Sequence, residues 1–458
     1  MNEDLIRELK TVVGEDWVIS SIDSISGYLY DETPPPLRPK ADEDVVVVKP
    51  KNVEEVSKII CLANEYKISV FPRGGGTGLA GACIPTKSGI ILSLERMNKI
   101  NVDAENLIAE AEAGATLKEL IEAADKVGLS FPLHPGDEGA QIGGLIACNA
   151  GGARAVKTGI MRNCVKGIEV VLPTGEVLRL GGKIMKNNMG YDLMQLIIGS
   201  EGTLGVITKA WIRLQPREIA SATIIIPFGE REKALAFVPK VFQEGILPLA
   251  IEYVEKNLVE RVAKQLGLTW PCASSEYQLM IILSESSEEA LLSALEKLLN
   301  LCDKMDAFEP VVAQTRKEQE EVLKIRSEIY STLEPNMVDI LDTTVPPARM
   351  VDLIKVVNEL ESKYGVYVPA YGHAGDGNLH LHLMKWDGWT DEKYDELRNM
   401  IYQKTIELGG TITGEHGIGY IRKKYLVRYL DEKALMLMKE IKKIFDPNNI
   451  LNPDKVLP

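Results

Sequence analysis

The chain has 458 residues, 45% hydrophobic and 26% charged, with a formal net charge of −14. That length exceeds a typical domain of ~100 to 200 residues, so two or three domains are expected, with a sizeable core. The acidity argues against nucleic acid and anionic membrane as partners, because both select for clustered Lys and Arg. No run reaches the ~18 apolar residues of a membrane span, and the opening MNEDLIRELKTVV reads as a short amphipathic helix and not an export signal. The six cysteines are scattered, with none nearer than Cys148 is to Cys164. That spacing excludes a CxxC-type iron–sulfur or zinc site and points to a reduced, cytoplasmic protein.

After the opening helix, the Pro-rich ETPPPLRPK is a loop. The run Asp44 to Lys49 reads as a buried strand, Asn52 as the cap of a helix from Val53 to Lys67, and Ile68 to Phe71 as a second strand. At the end of this βαβ unit stands PRGGGTGLAG, residues 72–81, with five glycines in ten positions. Such a segment suits backbone that turns with positive φ and approaches an anionic group, most often a phosphate. Gly76, Gly78 and Gly81 satisfy GxGxxG, but the dinucleotide fingerprint needs a helix to open at the last glycine. Pro85 and a strand from Gly89 to Leu94 follow instead, so a Rossmann fold is rejected and the glycine amides are expected to act as a loop.

A strand through LIAEAEAG and a helix from Thr116 to Val127 lead to HPGDEGAQIGGLIACNAGG, residues 134–152. This stretch holds too much Gly and Pro for regular structure, yet too much Ile, Leu and Ala for a disordered linker. A hairpin over 168–182 and a third glycine cluster, NNMGYDLMQLIIGSEGTLGVIT (187–208), complete the region. Three such loops read as three walls of one site around a large flat ligand. Beyond about residue 218, strands SATIIIPF, LPLAIEYVE and YQLMIILSE alternate with helices, which suggests a separate α+β domain with an antiparallel sheet. A helix from Gln314 to Leu333 carries Arg326, at first sight a solvated residue.

Four of the five histidines fall within 44 residues: His373, His380, His382 and His416. YGHAGDGNLHLHL reads as strand, tight turn and strand, which sets His373 across a hairpin from His380, with His380 and His382 on one strand face. In TGEHGIG, Glu415 and His416 are adjacent in extended chain and so should point to opposite sides, with different tasks. Two imidazoles and a carboxylate suit a divalent metal with an open position, leaving His416 as a base.

Together, PRGGGTGLAGA, PGDEGAQIGGLIACNAGG, GYDLMQLIIGSEGTLGVIT, YGHAGDGNLH, GEHGIG and FDPNNILNPDK closely resemble the FAD-linked oxidase family of D-lactate dehydrogenases, D-2-hydroxyglutarate dehydrogenase and the flavin subunit of glycolate oxidase. The resemblance runs from about residue 40 to the end. It implies an α+β fold with a vanillyl-alcohol-oxidase-like FAD domain over 1–218, in two subdomains (about 40–98 and 99–218). A cap over 219–416 and a C-terminal segment, 417–458, returning to the FAD domain would follow. Arg73, Gly74, Gly75, Gly76, Thr77, Gly78 and Gly81 would hold the pyrophosphate. Pro135, Gly136, Gly139, Gln141, Ile142, Gly144, Asn149 and Gly152 would line the flavin, Glu201, Gly202 and Ile207 the adenosine side, and Asn452 would close the site. His373, His380 and Glu415 fall on the family's ligands for a divalent metal (Zn, Mn or Fe), and His416 on its base. Arg326 falls on its carboxylate-binding arginine.

Thr77 stands where related proteins with covalent flavin often carry His, so FAD should be non-covalent. His134 precedes PGDEG where Asp is expected, and a structural or solvent-facing role is assigned to it. The implied reaction is oxidation of a D-2-hydroxy acid to the 2-oxo acid, with metal and His416 assisting hydride transfer to flavin N5. DILDTTVPP lacks the extra Lys that a second substrate carboxylate would favour, which tilts the substrate towards D-lactate or glycolate and away from D-2-hydroxyglutarate. Electrons should leave to a partner, an electron-transferring flavoprotein or an iron–sulfur subunit, since the chain has no cluster motif. The protein would work as a homodimer or in a hetero-complex, touching a membrane only through a partner. A non-catalytic flavin-fold subunit is the other reading, against which the intact histidines speak.

Overall fold

In the computed structural model, which describes residues 2–313 and 315–458, the valine run Val45–Val48 is a strand buried along its whole length. It pairs in parallel with Gly89–Ser93, which pairs in parallel with Ser69–Arg73 on its other side. Helix Val53–Tyr66 is the crossover, started by the Asn52 side chain, which accepts from the Glu55 amide at 2.9 Å. From Arg73 to Gly89 the chain returns through the glycine loop with no helix.

A second, antiparallel sheet of five strands follows, in the order Ile100–Asp103, Ile108–Glu112, Val206–Arg213, Val165–Val171, Val177–Gly181. Alternate residues Ala109 and Ala111, Ile168 and Val170, and Ala210 and Ile212 turn one face into a core shared with Leu117, Leu120, Ala124, Ile142 and Ile146. The glycine-rich stretch 134–152 is not irregular throughout, because Ile142–Cys148 is a helix. Its glycines serve packing: a Cβ at Gly143 would stand 2.7 Å from that of Ala113, so only glycine lets the helix lie this close to the sheet. Helix Leu117–Lys126 begins with a capping box between Thr116 and Glu119.

These elements belong to one compact unit that runs to Ala150, resumes over Ile160–Arg217 and ends with Glu415–Pro458. The second unit consists of Gly151–Gly159 and Glu218–Gly414. Its main sheet is antiparallel, in the order Ala250–Glu255, Tyr277–Glu285, Ala220–Phe228, Val311–Ala313. A smaller sheet orders Met337–Thr344, Asn378–Met384 and Ala370–Tyr371. The two sheets are stitched together where Tyr253 and Gly372 exchange backbone hydrogen bonds of 2.9 and 3.0 Å.

The single helix expected from Gln314 to Leu333 is two, Arg316–Ser327 and Ile329–Leu333; Gln314 lies outside the described residues. Thr315 and Glu318 cap the start of the first helix. At its end the Ser327 hydroxyl donates back to the Leu323 carbonyl at 2.9 Å, a bond that competes with the helix ladder where the chain breaks. Among the described residues no helix is long and apolar enough to cross a membrane.

Candidate active site

In the first unit the three glycine segments meet. A Cβ on Gly75 would stand 2.9 Å from the Gly139 carbonyl, and one on Gly74 would touch Gln141 at 3.5 Å and Gly144 at 3.7 Å. The third segment closes on both: a Cβ on Gly202 would lie 3.4 Å from Pro72 and one on Gly199 3.3 Å from Asn149. The Glu201 amide donates to the Ala147 carbonyl at 2.8 Å. Asn452, from the C-terminal return, donates to the carbonyls of Ala82 (3.0 Å) and Glu201 (2.7 Å). Gly76 has φ +79°, and any side chain there would overlap the Arg73 guanidinium. That guanidinium bonds the carbonyls of Gly27 (3.3 Å) and Tyr30 (3.0 Å), bracing the loop against the N-terminal segment.

Thr77, Gly78 and Gly81 continue this loop, Gly81 with φ +71° against Tyr420. Pro135 and Gly136 sit on the connection before Gly139, and His134 pairs with Glu138 at 3.5 Å near the surface. Ile142 and Ile207 put their side chains into the core, leaving only their backbone for a ligand. Gly152 falls in the second unit. Gln141 Oε1, Ser200 Oγ and Asn452 Oδ1 are buried without a hydrogen-bond partner among the described residues. Each orphan costs roughly 1–3 kcal/mol, and a large ligand rich in donors and acceptors, such as FAD, would satisfy them. On this ground the cradle fits FAD.

In the second unit the histidines are organised by Glu252, which is fully buried. Its Oε1 lies 2.7 Å from His373 Nδ1, and its Oε2 accepts from Arg326 Nε at 2.6 Å and faces Nη2 at 2.5 Å. Burial pushes the Glu252 carboxyl up, but Arg326 and His373 outweigh it and hold the group below the usual carboxylate range. Arg326 is therefore no solvated residue: its side chain is 13% exposed and its guanidinium lies 4.9 Å from the Tyr371 ring centre. Tyr371 also stacks on His382 at 5.0 Å and sits 5.3 Å from His380. His382 is wholly buried, its Nδ1 3.0 Å from Met337 Sδ.

The ring centres of His373 and His380 stand 5.4 Å apart and nearly perpendicular. Two imidazoles on one tetrahedral cation, each nitrogen about 2.1 Å from it, place their centres about 5 Å apart. Asp342, paired in register with His380, lies 3.6 Å from His380 Nδ1 and accepts from Asn378 Nδ2 and Thr413 Oγ1, both at 2.8 Å. Nitrogen and carboxylate donors at this spacing fit a divalent cation.

The chain leaves the second unit at the Gly414–Glu415 peptide bond, and Gly414 is held there by donating to the Asp342 carbonyl at 2.9 Å. Glu415 and His416 do not point to opposite sides: Glu415 Oε1 lies 3.6 Å from His416 Nε2. The segment is bent and not extended, with φ +80° at Gly417 and +51° at Gly419. Glu201, itself at φ +52°, fixes the bend, accepting from the amides of Ile418 and Gly419, both at 2.8 Å. Its carboxylate is thus engaged by the histidine segment, and burial pushes its pKa up despite those two amides. A Cβ on Gly417 would come within 2.9 Å of that carboxylate. Gly417→Ala is therefore expected to lower stability by roughly 1–3 kcal/mol, read by thermal melting.

Sequence reasoning passed over Glu252 and Asp342. The signal for the first was a Glu in the middle of LPLAIEYVE, an otherwise apolar strand where a charge needs a buried partner.

Residues 217–456 match the family described as FAD linked oxidases, C-terminal domain, and residues 45–181 match the FAD binding domain family. This chain belongs to the FAD-linked oxidases. The oxidase is 46% identical over 430 residues to a D-lactate dehydrogenase of Archaeoglobus fulgidus, covering 94% of this chain and 95% of that one. It is 35% identical to the glycolate oxidase subunit GlcD of Bacillus subtilis, covering 94% and 91%. Among solved structures, p-cresol methylhydroxylase superposes with a TM-score of 0.76 at 18% identity, covering 99% of this chain and 96% of that one, a likeness of fold. The fold is that of the vanillyl-alcohol-oxidase-like flavoproteins, and this FAD-linked oxidase is a flavin-dependent dehydrogenase acting on a CH–OH donor.

Proposed function

We propose that this FAD-linked oxidase converts a small D-2-hydroxy monocarboxylate, D-lactate or glycolate, into its 2-oxo acid in the cytoplasm and hands the electrons to a separate acceptor protein. The observation that carries the reading is the Glu252 pair: one buried carboxylate holds an arginine fork and an imidazole together beside a second imidazole. Arg326 binds the substrate carboxylate; Glu252 takes its Nε–Nη2 edge, so the substrate meets the Nη1–Nη2 edge. His373, His380 and Glu415 hold a divalent cation with Asp342 beside them. Gly414, the residue before Glu415, donates to the Asp342 carbonyl. His416 takes the substrate hydroxyl proton on a ring nitrogen.

Bound non-covalently on Gly74–Gly78, Gln141 and Asn452, FAD supplies the two-electron acceptor, and the cation supplies Lewis acidity towards the hydroxyl. The choice of a monocarboxylate rests on Ile340 and Leu341, buried apolar residues where a second carboxylate would need a cation, and on the names of the two relatives.

Anaerobic flavin bleaching by D-lactate, glycolate and D-2-hydroxyglutarate tests the assignment. Bleaching at the highest kcat/KM by D-2-hydroxyglutarate would overturn the monocarboxylate reading. Treatment with EDTA is expected to cut turnover by at least about 100-fold with the yellow colour retained, and Zn²⁺ or Mn²⁺ to restore it. Undiminished turnover in chelator removes the cation from the scheme.

A further inference from the structure

We infer that Glu252 is a positioning residue for the whole substrate site: its one carboxylate fixes the tautomer of His373 and the angle of the Arg326 fork. The inference rests on the reading above, in which His373 helps to hold a cation and Arg326 a substrate. Burying a carboxylate is costly unless its oxygens meet donors. Here Oε1 faces His373 Nδ1, and Oε2 faces Nε and Nη2 of Arg326. The strand that carries Glu252 cannot drift from His373, because Tyr253, its neighbour, is bonded in both directions to Gly372, the neighbour of His373.

An ionised carboxylate only accepts hydrogen bonds. His373 Nδ1 must therefore carry a ring hydrogen, and in the neutral ring Nε2 presents a lone pair, which is the form a cation requires. The same group holds the Nε–H of Arg326 and pairs with its Nη2, and so sets the plane in which the remaining N–H groups meet a substrate. One side chain thereby couples the orientation of the carboxylate clamp to the donor state of a metal ligand.

Glu252→Gln keeps the shape and changes the donors. Arginine offers no acceptor, so the amide oxygen must turn to Arg326, whose Nε–H points there, and the NH₂ must face His373 Nδ1. That ring then holds its hydrogen on Nε2, where the cation would bind. E252Q is expected to bind Zn²⁺ about 10- to 100-fold more weakly than wild type, with FAD content unchanged and KM moved little, and to melt lower because the largely buried Arg326 keeps only a neutral partner. E252D is one methylene shorter but remains acceptor-only, and is expected to hold Zn²⁺ better than E252Q while raising KM as Arg326 loses its partner. A merely structural role predicts the reverse order, since the aspartate leaves a cavity and the glutamine does not.

The measurement is Zn²⁺ titration of metal-stripped, FAD-loaded protein against a chromophoric chelator, with kcat and KM taken in parallel. Zn²⁺ affinity of E252Q equal to wild type, or weaker binding by E252D than by E252Q, overturns the inference. If E252Q does not fold, E252D must keep Zn²⁺ affinity within about tenfold of wild type, and a larger loss overturns it. Wild type that binds no Zn²⁺, or His380→Ala binding as wild type does, overturns the cation reading beneath it instead.

Discussion

Alanine in place of His416 is expected to slow the reductive half-reaction by about 10²- to 10⁴-fold, the range for loss of a positioned general base, while the protein stays yellow. His416 is largely buried and sits beside Glu415 on a segment whose bend is fixed by Glu201. The bend is held by the backbone amides of Ile418 and Gly419, so the truncation should leave the fold and the glycine cradle in place. KM should change far less than kcat, because substrate binding is assigned to Arg326 and the cation. Stopped-flow reduction of the flavin by D-lactate reads the effect directly, free of any step involving the electron acceptor. A fall of less than about threefold would place the base on another residue.

The layers of the fold were legible where local chemistry was decisive. Val45–Val48 and Gly89–Ser93 are apolar runs bounded by turn residues, and both are strands. The strand after PRGGGTGLAG was enough to reject a dinucleotide helix, and the chain indeed runs from Arg73 to Gly89 without one. Helix Ile142–Cys148 was illegible because glycine lowers helix propensity, and the compensation is tertiary: contact with Ala113 and burial of Ile142 and Ile146. Nothing in the local sequence announces that a neighbouring strand will come close enough to need Gly143.

The site was legible in its histidines and only half legible in its charges. His373 and His380 were marked by glycine-flanked positions and do face each other. Arg326 looked like a solvated helix residue because its partner, Glu252, lies 74 positions earlier and arrives only when two sheets join at Tyr253 and Gly372. The carboxylate of Glu201 meets amides more than 200 positions later, which its local sequence does not announce. Pairings of that range leave no local period or spacing to read.

The strand Ala250–Glu255 also carries a second buried carboxylate, and the two divide structure from chemistry. Glu252 and Glu255 are three apart, so in extended chain they point to opposite faces. Glu252 meets His373 and Arg326, whereas Glu255 meets Arg231, Tyr253 and Tyr367. Arg231 is 4% exposed and Glu255 2%. The arginine also bonds Asn358 at 2.9 Å and Glu361 at 2.8 Å, tying helix Arg231–Gln243 to helix Met350–Tyr364. Burial alone would lower the Arg231 pKa, but Glu255 beside it more than reverses this, so the arginine is charged at every accessible pH.

Removing one member of such a pair leaves a buried charge uncompensated, at about 3–5 kcal/mol. Arg231→Ala is therefore expected to lower the melting temperature of the second unit by on the order of 10 °C, at 2–4 °C per kcal/mol for a body of this size. Its kcat, measured below the transition, should stay within about twofold of wild type, because no bond of Arg231 reaches the histidine face. The double variant R231M/E255Q should recover at least half the loss, since the methionine refills the volume and the glutamine removes the stranded charge, its oxygen accepting from one of Tyr253 and Tyr367 and its NH₂ donating to the hydroxyl of the other. If the double variant melts no higher than R231A, the cost lies in lost packing and hydrogen bonds to Asn358 and Glu361 rather than in the charge on Glu255.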